Sequence, residues 1–227
     1  MSRIQRMVVL AVAAALAIST LAVTASADHE RTYRVTVTNL TEGQPQTPFV
    51  VATHSEGFSL FSRGASASNG LQQLAENGGV PVLVDELLAS GYVGDVQVAA
   101  TAAGPLFPGD SASVDVIASS SARFVSLAGM LICTNDGFGG LSNVKLPTDS
   151  KTVYGYAYDA GTEINTEAYS DLVPPCDGLG QTGMTNPALA ENGVVHRHRG
   201  IAGIADLSPA VHGWTGAVIM VEIELID

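Results

Sequence analysis

From residue 32 the chain alternates. Tyr33, Val35 and Val37 are separated by Arg34, Thr36 and Thr38, the period of two expected of a strand with one buried face. Further β-branched or apolar runs at 48–53, 95–100, 113–118, 124–132, 153–158 and 218–226 are parted by clusters of Gly, Pro, Asp and Ser. In the last run Ile219, Val221, Ile223 and Leu225 fall on one side, and Met220, Glu222, Glu224 and Ile226 on the other. Helical spacing is confined to 69–76 and 82–88, the second carrying Asp85 and Glu86 outward and stopping before Gly91. Many short strands with turn signals between them and little helix predict an all-β fold. The expected form is two antiparallel sheets packed as a sandwich, with one or two short helices in the connections. Residues 171–192 show little periodicity and paired prolines, and are expected to form a long surface loop pinned at its start by Cys176. No internal repeat or linker is visible.

The first 27 residues are patterned differently. Arg3 and Arg6 precede an apolar, Ala-rich run from Met7 to Val23, and Ala25-Ser26-Ala27 follows, which is the layout of a secretory signal with cleavage expected after Ala27. The run is interrupted by Ser19 and Thr20, so a retained membrane anchor is disfavoured, and no stable membrane insertion is expected. Residues 28–227 would then form one exported domain, large enough to bury a core. It would be secreted, with a periplasmic or cell-surface site as the other settings. Loss of the leader leaves eight basic residues against 22 acidic ones, a net charge of −14. So few cations, scattered along the chain, argue against nucleic acid as a partner.

Cys133 and Cys176 are the only two cysteines. In an exported chain they predict one disulfide, since a structural zinc site wants four closely spaced ligands. The bridge would tie together the segment holding the chain's most suggestive chemistry, the acidic, glycine-punctuated turns Thr134-Asn135-Asp136-Gly137 and Asp159-Ala160-Gly161-Thr162-Glu163. Hard cations such as Ca²⁺ prefer carboxylate and carbonyl oxygens in loops, which makes Asp136, Asp159 and Glu163 candidate metal ligands, with Asn165 and Glu167 as weaker ones. The alternative is that Asp136-Gly137 is a turn dipeptide and that the other two are solvated acids capping local amides.

The strings YRVTVTNLT, FVVATHSEGFSLF, MLICTNDGFGGL, YDAGTEINTE and GVVHRHRGI occur in this order between residues 33 and 201, and the likeness they carry extends over 33–226. Together they resemble the spondin N-terminal domain in its bacterial, stand-alone form. The resemblance implies a C2-like β-sandwich of the extracellular-matrix type, with one calcium ion held at one end by Asp136, Asp159 and Glu163. This chain has Glu163 where animal members often have Asp, and Asn-Asp-Gly in place of a proline-containing loop.

Other constellations are weaker. His196 and His198 lie on one face of an extended segment, and His54 and His212 could join them as a zinc or copper set able to activate water. No Glu stands in an HExxH relation to them, so hydrogen-bonded structural histidines are the simpler reading. There is no G-x-S-x-G, residues 119–121 read as a hairpin turn, and Gly139-Gly140 lacks the lysine and helix of a phosphate loop. Trp214 is expected at a core or edge position, and the triplet Asn39-Leu40-Thr41 is expected to stay unmodified. The reading that results is an exported, calcium-binding, non-enzymatic interaction module, whose partner would be an extracellular protein or glycan in adhesion or matrix contact. Its rivals are a secreted metal-dependent hydrolase built on His196 and His198, and a carbohydrate- or lipid-binding module.

Overall fold

A computed structural model describes residues 29–176 and 186–227. The expected leader and the middle of the expected long loop lie outside these. Strand β1 (Arg31–Asn39) buries Tyr33, Val35 and Val37 as the alternation requires, and Arg34 on its outer face pairs with Asp115 at 2.8 Å. Its neighbours are β4 (Ser111–Ala118) on one side and β9 (Ile219–Leu225) on the other, with β7 (Ser150–Asp159) beyond β9. The second sheet runs β3 (Val93–Ala99), β2 (Phe49–His54), β5 (Phe124–Met130), β6 (Gly137–Lys145), and then the far half of β7 with β8 (His196–Arg197) beside it. All pairings are antiparallel.

The two sheets share β7. Residues 150–155 pair with β9 and residues 156–159 with β6, so the strand turns the corner at Gly155. A Cβ there would lie 2.6 Å from Ile219 Cγ1 and 2.8 Å from the Gly140 carbonyl oxygen, so only glycine lets β7 pass between the Ile219 side chain and the β6 backbone. At the opposite seam β3 and β4 are not laddered but are stitched by side chains. The Ile117 N–H donates to Asp95 Oδ2 (2.8 Å), and the Thr53 hydroxyl donates to the Ile117 carbonyl (2.7 Å). The result is a sandwich close to a closed barrel.

Between the sheets lie Val35, Val37, Val51, Leu127, Val221 and Ile223. The outer face of β2 and β5 is covered as well, by α1 (Asn69–Asn77) and α2 (Val80–Ala89), whose Leu71, Leu74, Leu83 and Leu87 press on Val50, Ala52 and Ala128. Each such leucine contributes about 2 kcal/mol by leaving water. Double-sided burial explains why residues 49–54 read as a continuous apolar run, without alternation. A third cluster joins Met130, Ile132, Leu172, Val173, Ile201 and Leu207 around the disulfide Cys133–Cys176, the pairing expected, with Cα atoms 5.3 Å apart.

The structure departs from the sequence expectations at identifiable places. The strand expected over 124–132 ends at Met130, and a further strand, β6, begins at Gly137. Three of its first four residues are glycines, which hid it from a reading based on β-branched content. A Cβ on Gly140 would meet the Phe61 ring at 2.9 Å, so the glycine makes room for an aromatic. Residues 119–121 do turn, but they carry the chain from β4 in one sheet to β5 in the other, so β4 and β5 do not form a hairpin. The segment beginning at 171 is no surface loop at its start, because Leu172, Val173 and Cys176 are buried. No helix among the described residues is long and apolar enough to cross a membrane.

Candidate functional site

The first acidic turn is built by its own side chains. The Thr134 hydroxyl donates to the Leu131 carbonyl (2.6 Å) and accepts from the Gly137 N–H (2.9 Å), which closes the turn and starts β6. Asn135 reaches across to the second loop, where its Oδ1 accepts from the Thr166 N–H (3.1 Å). Asp136 is fully buried, and its Oδ2 accepts from the Thr162 N–H (2.7 Å) and the Glu163 N–H (3.1 Å). The two turns that are separated in sequence are therefore clamped together by one carboxylate.

The second turn follows from Gly161, whose φ of +70° and contact with Val194 N (2.6 Å from an added Cβ) exclude other residues. Asp159 Oδ1 accepts from the Gly161 N–H (2.8 Å) and lies 3.4 Å from His196 Nδ1, while its Oδ2 accepts from Asn165 Nδ2 (2.8 Å). Glu163 Oε1 accepts from the Asn186 N–H (3.0 Å). The amide-capping role considered from the sequence is thus real, but these acids are not solvated, since all three are buried. Burial, reinforced by the charge of Asp159, pushes the Asp136 carboxyl up to about 6. Burial also pushes Glu163 up to about 7, opposed by the Asn186 N–H and assisted by Glu76, Asp136 and Asp171.

Donor chemistry and charge suit a hard cation. Asp136 Oδ1 is buried and has no hydrogen-bond partner, as is Glu76 Oε2, a buried helix carboxylate that adds negative charge beside Glu163. Convergence is only partial. Among the described residues, the one threefold cluster of His, Cys, Asp and Glu ligand atoms within 4.8 Å of one another is Cys133, Cys176 and His212, and its sulfurs are committed to the disulfide. Asp136 stands between its partners: Asp159 turns toward His196, and Glu163 toward Asn186.

The four histidines do not assemble. His54 is buried on β2 with Nε2 2.7 Å from Ser126 Oγ, in register with Phe124 at the other end of the barrel, and burial holds its pKa below the usual range. His212 Nδ1 accepts from the Ser208 N–H (3.0 Å) beside the disulfide. Only His196 and His198 share a cavity, of about 500 Å³, with Asp159, Asn165 and Glu191. His198 Nδ1 accepts from the Gly200 N–H (3.0 Å), its ring packs edge-on against Trp214, and burial lowers its pKa. Trp214 is edge packing, as expected. The buried Asn39 amide donates to the Gln44 and Leu106 carbonyls (2.8 and 2.9 Å), so no glycan can sit there in the folded chain.

Two residues organise this pole without having drawn notice in the sequence, or drew it for another role. Gln44 grips Cys133 at both backbone atoms, its Oε1 accepting from the N–H (3.0 Å) and its Nε2 donating to the carbonyl (3.2 Å). Glu167, a weaker metal candidate in the sequence, accepts three backbone N–H groups, from Ala202 (2.6 Å), Gly203 (2.7 Å) and Ile204 (2.9 Å). It is a loop anchor. Nothing local marks Gln44, because its side-chain partners, Cys133 and the His212 carbonyl, lie 89 and 168 positions away.

These features define an all-β, disulfide-bridged domain with a buried acidic clamp at one pole. The Spondin_N family model matches residues 26–174, well over half the chain, and the chain belongs to the spondin N-terminal domain family. The matched span holds β1 to β7 and both acidic turns, while the histidine string and β9 lie beyond it. No curated protein matches the chain significantly. The family is one of extracellular interaction modules, and the disulfide agrees with an oxidising compartment.

Proposed function

We propose that the protein is an exported, non-enzymatic interaction module whose acidic pole binds one Ca²⁺ through Asp136, Asp159 and Glu163. The observation that supports this most is Asp136: a buried carboxylate, pushed up to about 6, with one oxygen bound to the facing loop and the other without a partner. Bound calcium supplies two positive charges and accepts six to eight oxygens, more than three carboxylates need provide. The residues themselves do the rest. Asp136 joins the loops, Asn165 orients Asp159, and the Asn186 N–H orients Glu163. The ordered loops would present the surface met by an extracellular protein or glycan.

The test is thermal unfolding of the exported form, starting at Asp28, titrated with calcium after EDTA treatment. A ligand that binds only the folded state at a hundred times its Kd adds about 2.7 kcal/mol, so Tm should climb with the logarithm of calcium concentration. Asp136→Asn should remain folded and lose that climb. A wild-type Tm indifferent to calcium overturns the reading, and stoichiometric zinc lost on His196→Ala would favour the hydrolase instead.

A further inference from the structure

The opposite pole carries a second, unrelated chemistry. A cavity of about 640 Å³ is lined by Arg31, Tyr33, Ser119, Arg123, Lys145 and Thr148, with His29 at its margin and Leu146 and Pro147 as apolar lining. The whole chain has ten lysines and arginines against 22 acids, yet three of those cations line this one cavity and no Asp or Glu does.

Backbone pairing fixes where these cations stand. Arg31 opens β1 opposite Ala118 at the end of β4, and Lys145 ends β6 opposite Phe124. Arg123 immediately precedes β5, and its carbonyl accepts from the Leu146 N–H (3.0 Å). Both sheets therefore deliver a basic residue to the same hollow. The Tyr33 hydroxyl donates to the Pro147 carbonyl (2.9 Å), which ties β1 to the segment after β6 that also lines the cavity. Two cations outside the cavity have fixed partners, Arg34 with Asp115 and Arg197 stacked 3.7 Å above the Tyr156 ring. Among the described residues Arg31, Arg123 and Lys145 form no ion pair at all.

Guanidinium forks and an ammonium around a hollow, supported by serine and threonine hydroxyls, match the oxygens of a sulfate or phosphate group. A cavity of this size takes a ligand of roughly one or two sugar rings. A nucleic-acid backbone would need a longer basic track than one pocket on an acidic protein. We propose that this cavity binds a small ligand bearing a sulfate or phosphate group, held by Arg31, Arg123 and Lys145. It is independent of the calcium pole, because β6 runs from Gly137 beside Asp136 to Lys145 and spans roughly 26 Å at 3.3 Å per residue.

Isothermal titration and amide chemical-shift mapping of the exported chain test this with inorganic sulfate, inorganic phosphate, glucose 6-sulfate, glucose 6-phosphate and neutral glucose. Saturable binding of the oxyanion probes and none of glucose is expected, weakening as salt is raised. Arg123→Gln and Lys145→Gln should each weaken binding about tenfold or more, the scale of one charge-assisted contact. Arg199→Gln, in the other cavity, should leave it unchanged. Esters binding more tightly than the free ions identify a sugar-borne group, and equal affinities identify the free oxyanion. No saturable binding by any oxyanion at millimolar concentration overturns the proposal, and so does binding undiminished in Arg31→Gln/Arg123→Gln/Lys145→Gln. The replaced side chains are exposed, so these variants should fold, which an unchanged Tm without ligand would verify.

Discussion

Asp136 spends one oxygen on holding two loops together and leaves the other bare, so different substitutions should separate the two roles. Asp136→Ala strips the acceptor from two loop amides and should destabilise the metal-free protein by about 2–4 kcal/mol, read from the urea midpoint. Asp136→Asn keeps an acceptor and removes the buried charge, so at pH 8 in EDTA it should match or exceed the wild type. Acidity should act in the same direction as the Asn substitution. Asp136 and Glu163, raised to about 6 and about 7 from ordinary values of 3.8 and 4.5, bind protons more tightly folded than unfolded. Metal-free stability is therefore lost as pH rises from about 4 to about 7 and is regained on acidification, by up to ~3 kcal/mol for Asp136 and by a smaller, solvent-screened amount for Glu163. His54 and His198, held low by burial, act in the opposite sense below about pH 6.5, which places the metal-free optimum on the mildly acidic side. Under saturating calcium protons compete with the ion, and Tm should instead fall on acidification. Superimposable Tm profiles with EDTA and with calcium between about pH 5 and 8 would contradict this account. The sequence displayed these acids and their turns. It could not display that Asp136 is buried or that Glu76, from a helix remote in sequence, adds its charge, because both follow from packing across elements.

At the scale of elements, period-two alternation identified β1 and β9 because each has one face in the core and one in water. Apolar runs identified β2 and β5, whose two faces are both covered. What escaped was β6, since its residues were selected for what they lack. Gly140 admits the Phe61 ring, and Gly155 lets β7 pass from one sheet to the other. Gly155→Ala should accordingly cost about 1–3 kcal/mol through overpacking, because its Cβ meets backbone as well as Ile219 and cannot be relieved by one rotamer change. Gly57→Ala, where an added Cβ meets nothing within 4 Å, should be nearly neutral. Urea denaturation of the pair decides it, and equal midpoints would show that the corner tolerates a side chain.

The described residues form two chemically opposite ends joined by the strands, with an acidic clamp at one and an unpaired basic hollow at the other. The bridge Cys133–Cys176 belongs to the acidic end, three residues before Asp136, and two roles for it can be distinguished. If it positions the clamp, removing it should weaken calcium binding. If it acts on the unfolded chain, stability alone should suffer. Geometry favours the second, because Cys133 is also held at its N–H and carbonyl by Gln44, and Asp136 binds the facing loop directly. These contacts survive loss of the sulfurs. Closing a loop with a sequence separation of 43 is worth about 4 kcal/mol in the chain-entropy model. Cys133→Ala/Cys176→Ala should therefore lower the urea midpoint by that order and leave the calcium Kd within about threefold of wild type, a difference under 1 kcal/mol. A large loss of affinity with little loss of stability would assign the bridge to the site instead.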